Sequence, residues 1–162
     1  MRVQEKGLLW QIFLNLKKMN NNIKDFLIVK DNFFNNKIYK KIIHEISNLI
    51  FTNRANDMVG NTAYQKIYFH VPLNVNHFAV EETKKILKNF GFDVKKGKGS
   101  FYFLSTKHEE ATPHDDHFVD LNCLIYLKGK DLINSGTGFY DKKENGFVLN
   151  RHIGFKENRA II

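Results

Sequence analysis

Cysteine occurs once in these 162 residues, at Cys123, so no internal disulfide can form and a reducing, cytoplasmic setting is the expectation. Proline is almost as scarce, with Pro72 and Pro113 alone, and no repeat, low-complexity run or linker-like stretch divides the chain. One domain is expected, large enough to bury roughly 68–70% of its unfolded surface. No apolar run is long enough to span a bilayer, so no membrane association is expected. The nearest candidate, Gly7 to Leu16, is interrupted by Gln11 and Asn15 and is followed by no small-residue cleavage site, which points to an amphipathic leading helix. Met19 is an alternative start, which would leave the first 18 residues outside the fold.

Arginine is also sparse, confined to Arg2, Arg54, Arg151 and Arg159, although the net charge is +8. The positive charge is carried by lysines scattered in short clusters such as Lys40-Lys41, Lys84-Lys85 and Lys95-Lys96-Gly97-Lys98. Readers of bases and phosphates favour the arginine fork, so the distribution favours a solvated basic surface over a nucleic-acid face. What the chain has in quantity is aromatic residues, 15 Phe and 6 Tyr within a 43% hydrophobic composition, which supplies a core and excludes disorder.

The patterning predicts helices first and strands afterwards. Phe26 to Val29 reads as a strand, and Phe33 to Ile50 as a helix with Asn35 or Asn36 as its cap. Tyr64 to Val71 reads as a strand closed by Pro72, and Val80 to Phe90 as an amphipathic helix ended by Gly91. Short strands are predicted at 92–94, 100–104, 117–127, 138–140, 146–149 and 159–162, with Lys95 to Lys98 as a basic hairpin turn. The fold class is thus α+β, helices packed on an antiparallel sandwich or barrel.

Ahead of the strand that contains Cys123 stands His114-Asp115-Asp116. On a strand, residues two apart share a face, so His114 and Asp116 would converge on one point. An imidazole and a carboxylate are two of the three ligands of the facial triad that holds non-heme Fe(II) and leaves positions open for substrates. Alone, an H-x-D pattern is common. Here it is followed in order by Leu124-Ile125-Tyr126-Leu127, by Ser135-Gly136-Thr137-Gly138-Phe139-Tyr140 and by Asn158-Arg159-Ala160-Ile161-Ile162.

This ordered set, together with Phe26 to Phe34, resembles the 2-oxoglutarate- and Fe(II)-dependent dioxygenases, in particular the branch similar to prolyl 4-hydroxylases. The resemblance covers residues 26–162, the oxygenase-like domain, with residues 1–25 as an N-terminal helical extension. It implies a double-stranded β-helix, a jelly-roll or cupin-like core, with helices packed against it. It further implies Fe(II) held by His114 and Asp116, 2-oxoglutarate as co-substrate, and hydroxylation of a small-molecule or peptide substrate in preference to nucleic acid. Ile125 matches an inward position on the strand lining the 2-oxoglutarate pocket, Thr137 the turn beside it, and Tyr102 a position that hydrogen-bonds the co-substrate. The family's distal histidine and its carboxylate-binding basic residue fall beyond Ile162. The resemblance therefore implies a barrel short of its last strands, weak metal binding and little turnover, with a partner chain or second copy as one way to cover the open edge.

Other histidines fit the triad poorly. His152 lies 36 residues after Asp116 but before the Asn-Arg strand, His117 would face away from His114, and His44-Glu45 lacks the second histidine of a zincin. His70, His77 and His108 read as structural or solvated. Cys123 reads as a buried thiol. The alternative to an oxygenase is a non-catalytic basic β-barrel module that binds an acidic or nucleic-acid partner.

Overall fold

Asn35 and His77 each start a helix by turning a side-chain acceptor back on the backbone. In the computed structural model, which describes residues 6–18, 27–49, 52–53, 68–74, 76–105, 120–129 and 135–162, the Asn35 carboxamide oxygen accepts from the Ile38 amide at 3.0 Å. This caps α1 (Asn36–Ile46) and satisfies one of the amides a helix start leaves unpaired. His77 Nδ1 accepts from the Ala79 amide at 3.2 Å to cap α2 (Phe78–Asn89), and Gly91, at φ 88°, lets the chain turn away after it. Ile42 and Ile46 of α1, with Ala79, Val80, Thr83 and Leu87 of α2, recur at helical spacing and are all buried. The His77 and Glu45 side chains, 2.6 Å apart, tie the two helices together.

The strands are β1 (Lys6–Lys18), β2 (Val29–Lys30), β3 (Thr52–Asn53), β4 (Tyr68–Pro72), β5 (Asp93–Ser105), β6 (Leu121–Lys128), β7 (Gly136–Lys143), β8 (Gly146–Gly154) and β9 (Arg159–Ile161). Seven form an antiparallel sheet in the order β2-β9-β6-β1-β5-β4-β3, and β7-β8 is a separate hairpin. The fold is therefore mixed, two helices with antiparallel strands, and among the described residues the two sheets do not close on one another.

Two expectations are corrected. The segment expected as a leading helix, within an N-terminal helical extension over residues 1–25, is instead β1, the middle strand of the large sheet between β5 and β6. An almost unbroken apolar run has no period by which helix and strand can be told apart, and pairing on both sides decides in favour of the strand. The basic hairpin turn expected at 95–98 is absent because β5 runs straight through it, with Gly97 opposite Leu14 and Gly99 opposite Ile12 of β1. Both glycines are buried while Lys95, Lys96 and Lys98 are exposed.

Strand alternation divides the interior in two. From β6, Leu121, Cys123, Ile125 and Leu127 join Phe34, Phe92, Phe101 and the helices in the main core. Each large apolar side chain buried there contributes roughly 1.5–3 kcal/mol. Tyr126, with Leu124 against it, belongs to a second cluster with Phe155, Ile161, Phe139 and Ile153, which fastens the hairpin to the sheet. Cys123 is a buried thiol, as its sequence context indicated.

The chain crossing from β8 to β9 is held by Asn158 and Arg159. Asn158 sits in the left-handed region at φ 58°. Its carboxamide nitrogen donates to the Phe34 carbonyl at 2.8 Å, and its oxygen accepts from the Phe34 amide at 2.9 Å. The Asn158 main chain adds two bonds, from its amide to the Tyr126 carbonyl at 2.8 Å and from the Phe33 amide to its carbonyl at 2.9 Å. Arg159 donates from Nε and Nη2 to the two Asp31 carboxylate oxygens at 2.6 and 3.1 Å, and Lys156 donates to the same carboxylate at 2.7 Å.

Asn158→Ala should remove both carboxamide bonds, strand the Phe34 backbone groups and strain the left-handed turn, destabilising the chain by about 3 kcal/mol in urea unfolding. Hydrogen bonds from Arg159 first, then Lys156, hold the Asp31 carboxyl well below its ordinary value of 3.8. The resulting stabilisation is fully present above that value and is lost as pH falls through and below it, because the unfolded chain takes up the proton first. Asp31→Asn should flatten this acid limb of urea midpoint against pH while leaving the slope near neutrality unchanged.

Candidate functional site

The hairpin meets the large sheet at one pair of hydroxyls. The Tyr126 phenol, on β6, lies 2.6 Å from the Thr137 hydroxyl, on β7, with the Ile153 carbonyl of β8 at 3.4 Å. The ring packs against Phe155 with centroids 5.2 Å apart. Burial pushes the phenol up to about 12, against a smaller downward pull from the Thr137 bond and the Arg159 charge, so it remains a neutral hydrogen-bonding group across the physiological range. Thr137 reaches this position because Gly136, at φ 131°, turns the chain into β7 where a Cβ would lie 2.1 Å from the Ile153 carbonyl oxygen. Next along, the Tyr140 ring covers Gly138, where a Cβ would fall 2.8 Å from it.

The residues singled out from sequence fall as follows. His114 and Asp116 lie outside the described residues, in the connection from β5 to β6. That connection leaves the sheet at Ser105, opposite Lys6, and rejoins it at Leu121, opposite Leu14, so its two ends sit at different levels of β1. Thr137 is at the junction of the sheets. Ile125 is not. It is fully buried in the main core with α1 and α2, and its neighbour Tyr126 occupies the face toward the hairpin. A one-residue step on a strand exchanges the faces, so Ile125 and Tyr126 look to opposite sides of the sheet.

Tyr102 lies on β5. Its Cα pairs with Leu9 of β1, and Leu9 pairs on its other side with Tyr126, so Tyr102 and Tyr126 stand at one level of the sheet. Ile125 shares its level with Trp10 and Phe101.

The remaining polar groups are committed elsewhere. Arg159 is engaged by Asp31 and by the Gly154 carbonyl, 2.9 Å from Nη1, so its charge serves the clamp. His152 pairs with Gly138 on β8 and is exposed, whereas Ile153 and Thr137 beside them pack toward Tyr126. It stands on β8, on the hairpin's outer face, as alternation requires. His77 uses both ring nitrogens in capping α2 and contacting Glu45. Among the described residues, no three His, Cys, Asp or Glu side chains are grouped to hold a metal ion, and no helix is long and apolar enough to cross a membrane.

Sequence reasoning missed Tyr126, whose signal lay in the parity of β6. In Leu121-Asn122-Cys123-Leu124-Ile125-Tyr126-Leu127 every odd position is small or aliphatic, and a tyrosine at an even position has to find a partner for its hydroxyl. No family model, curated protein or solved structure matches the chain.

Tyr126→Phe should cost about 1 kcal/mol through loss of the inter-sheet hydrogen bond. It should also remove one late component from the ultraviolet titration of the tyrosines. Since the unfolded phenol releases its proton near 10.0 and the folded one near 12, stability associated with Tyr126 falls as pH rises across that interval. A titration unchanged by the substitution would contradict the burial described.

Proposed function

We propose that the chain is an Fe(II)- and 2-oxoglutarate-dependent oxygenase-type domain of hydroxylase chemistry, built on a double-stranded β-helix. The large sheet would be its main wall and β7-β8 part of the facing wall. The observation that carries this reading is the Tyr126–Thr137 junction. Strand β6 begins 121 − 116 = 5 residues after Asp116, and its Leu124 and Tyr126 side chains face the seam between the sheets.

His114 and Asp116 would hold the metal, because neutral imidazole and carboxylate suit Fe(II) and leave coordination positions open. The donors on the seam fit a dicarboxylate co-substrate. A phenol kept neutral and a threonine hydroxyl, 2.6 Å apart, use one proton between them and leave one to donate to a carboxylate without placing a like charge beside it. When bound, the iron supplies oxidation of the substrate coupled to decarboxylation of 2-oxoglutarate. The chain's own part is orientation and exclusion of water. Phe155, Phe139 and Ile153 surround the hydroxyl pair with apolar surface, so a carboxylate there would meet few competing waters. Arg159, locked to Asp31, keeps Asn158 and β9 against β6 and thereby fixes the level at which Tyr126 faces the hairpin.

Anaerobic Fe(II) titration, with 2-oxoglutarate added to bring up the visible iron-to-co-substrate charge-transfer band, tests this directly. Fe(II) affinity should fall at least tenfold in His114→Ala and in Asp116→Ala. Tyr126→Phe should leave Fe(II) affinity in place and weaken the response to 2-oxoglutarate. Failure to bind Fe(II), or affinity indifferent to both ligand substitutions, would refute the proposal.

A further inference from the structure

From Tyr140 to His152 every residue of the β7-β8 hairpin is exposed, on both of its faces. Natural strands that project in this way are usually short, charged or covered. This one carries Tyr140, Phe147, Val148 and Leu149 at 47%, 49%, 54% and 50% exposure, four of the five exposed large hydrophobic residues among those described. The outer edge of β8 has no strand partner among the described residues, and a Cβ at either of its end glycines, Gly146 and Gly154, would meet nothing within 4 Å. An open row of backbone groups thus coincides with an apolar stretch, Gly146 to Asn150, that contains no charged side chain.

We propose that this edge pairs with the same edge of a second copy of the chain, β8 against β8 about a twofold axis, giving a continuous four-stranded sheet β7-β8-β8-β7. A strand is well suited to pair with itself when its centre is uncharged, because the twofold brings each residue near its own counterpart and like charges would repel there. A register centred on Val148 sets Val148 against Val148 and Phe147 against Leu149 of the second copy. Arg151 is then kept away from its own counterpart.

The area is consistent with a reversible dimer. These half-exposed side chains leave on the order of 400 Å² of apolar surface per copy, but edge pairing covers only their flanks, since strand side chains stand above and below the sheet. The contact is therefore smaller than the roughly 1,200 Å² at which stable interfaces begin, and a weak, concentration-dependent dimer is expected. The inference uses no part of the oxygenase reading and stands or falls separately from it.

Sedimentation equilibrium of the 162-residue chain across a wide concentration range tests it. The mass should rise with concentration from one chain to two and stop there. Val148→Lys, at a position exposed enough to accept the charge without unfolding, should raise the dissociation constant at least tenfold. A lysine on the edge opposes pairing through its own counterpart as well as through lost apolar contact. If that variant unfolds, hydrogen exchange on the unsubstituted chain decides instead, because the β8 amides should gain protection as concentration rises while those of β6 do not change. A monomer at every concentration, a mass growing past two chains, a folded Val148→Lys variant that dimerises as before, or β8 protection independent of concentration would each overturn the proposal.

Discussion

The structure depends on Asn158, whose carboxamide bonds to both sides of the Phe34 peptide backbone while its main chain joins Phe33 and Tyr126. Four hydrogen bonds from one residue hold together three segments distant in sequence: the start of α1, strand β6 and strand β9. Asn158 thereby supplies hydrogen-bond partners to buried amides and a carbonyl of the Phe33–Phe34 segment. A left-handed backbone at Asn158 brings carboxamide and main chain to the same place, and asparagine is among the residues that tolerate that conformation. The adjacent Asp31–Arg159 pair adds direction. Bidentate geometry fixes the guanidinium plane, while the carboxylate keeps enough solvent contact that the pair serves position more than stability.

With β9 held in this way, the alternation of β6 acquires its consequence. One face of the strand closes the core under the helices. The other carries a ring and a hydroxyl to the hairpin. Leu121, Cys123, Ile125 and Leu127 could be exchanged for other apolar residues of similar volume without altering what the seam presents, since none of them reaches it. Tyr126 has less freedom, because the same side chain must fill the space beside Phe155 and meet the Thr137 hydroxyl.

The helices and the later strands were legible because their signals are local. Asn35 as cap, Gly91 as terminator and the i, i+4 isoleucines of α1 act within a few residues of themselves. β1 was not legible, because Leu8 to Leu16 is nearly all apolar and the choice between helix and strand is made by β5 and β6, which lie about a hundred residues further along. Lys95 to Lys98 failed for a related reason. Glycines among lysines look like a turn by themselves, and only pairing to β1 on one side and, further along, to β4 on the other reveals a continuous strand. For the candidate site, the faces of β6 were not read from the sequence. Ile125 and Tyr126 are equivalent to a pattern search, whereas the register through Trp10 and Leu9 sends them to opposite faces.

That parity bears on what the seam can do. A pocket lined by Ile125 would offer only shape, and shape alone discriminates weakly between ligands of similar outline. The seam that Tyr126 faces offers a neutral phenol and a hydroxyl inside an apolar frame, and a site built to hydrogen-bond rejects a ligand that leaves its buried groups unpaired. Under the proposed reading, polar selectivity resides on the hairpin side of β6. The helix side, with its closed packing of Phe34, Phe92 and Phe101, supplies the rigidity that keeps those two oxygens at a fixed distance.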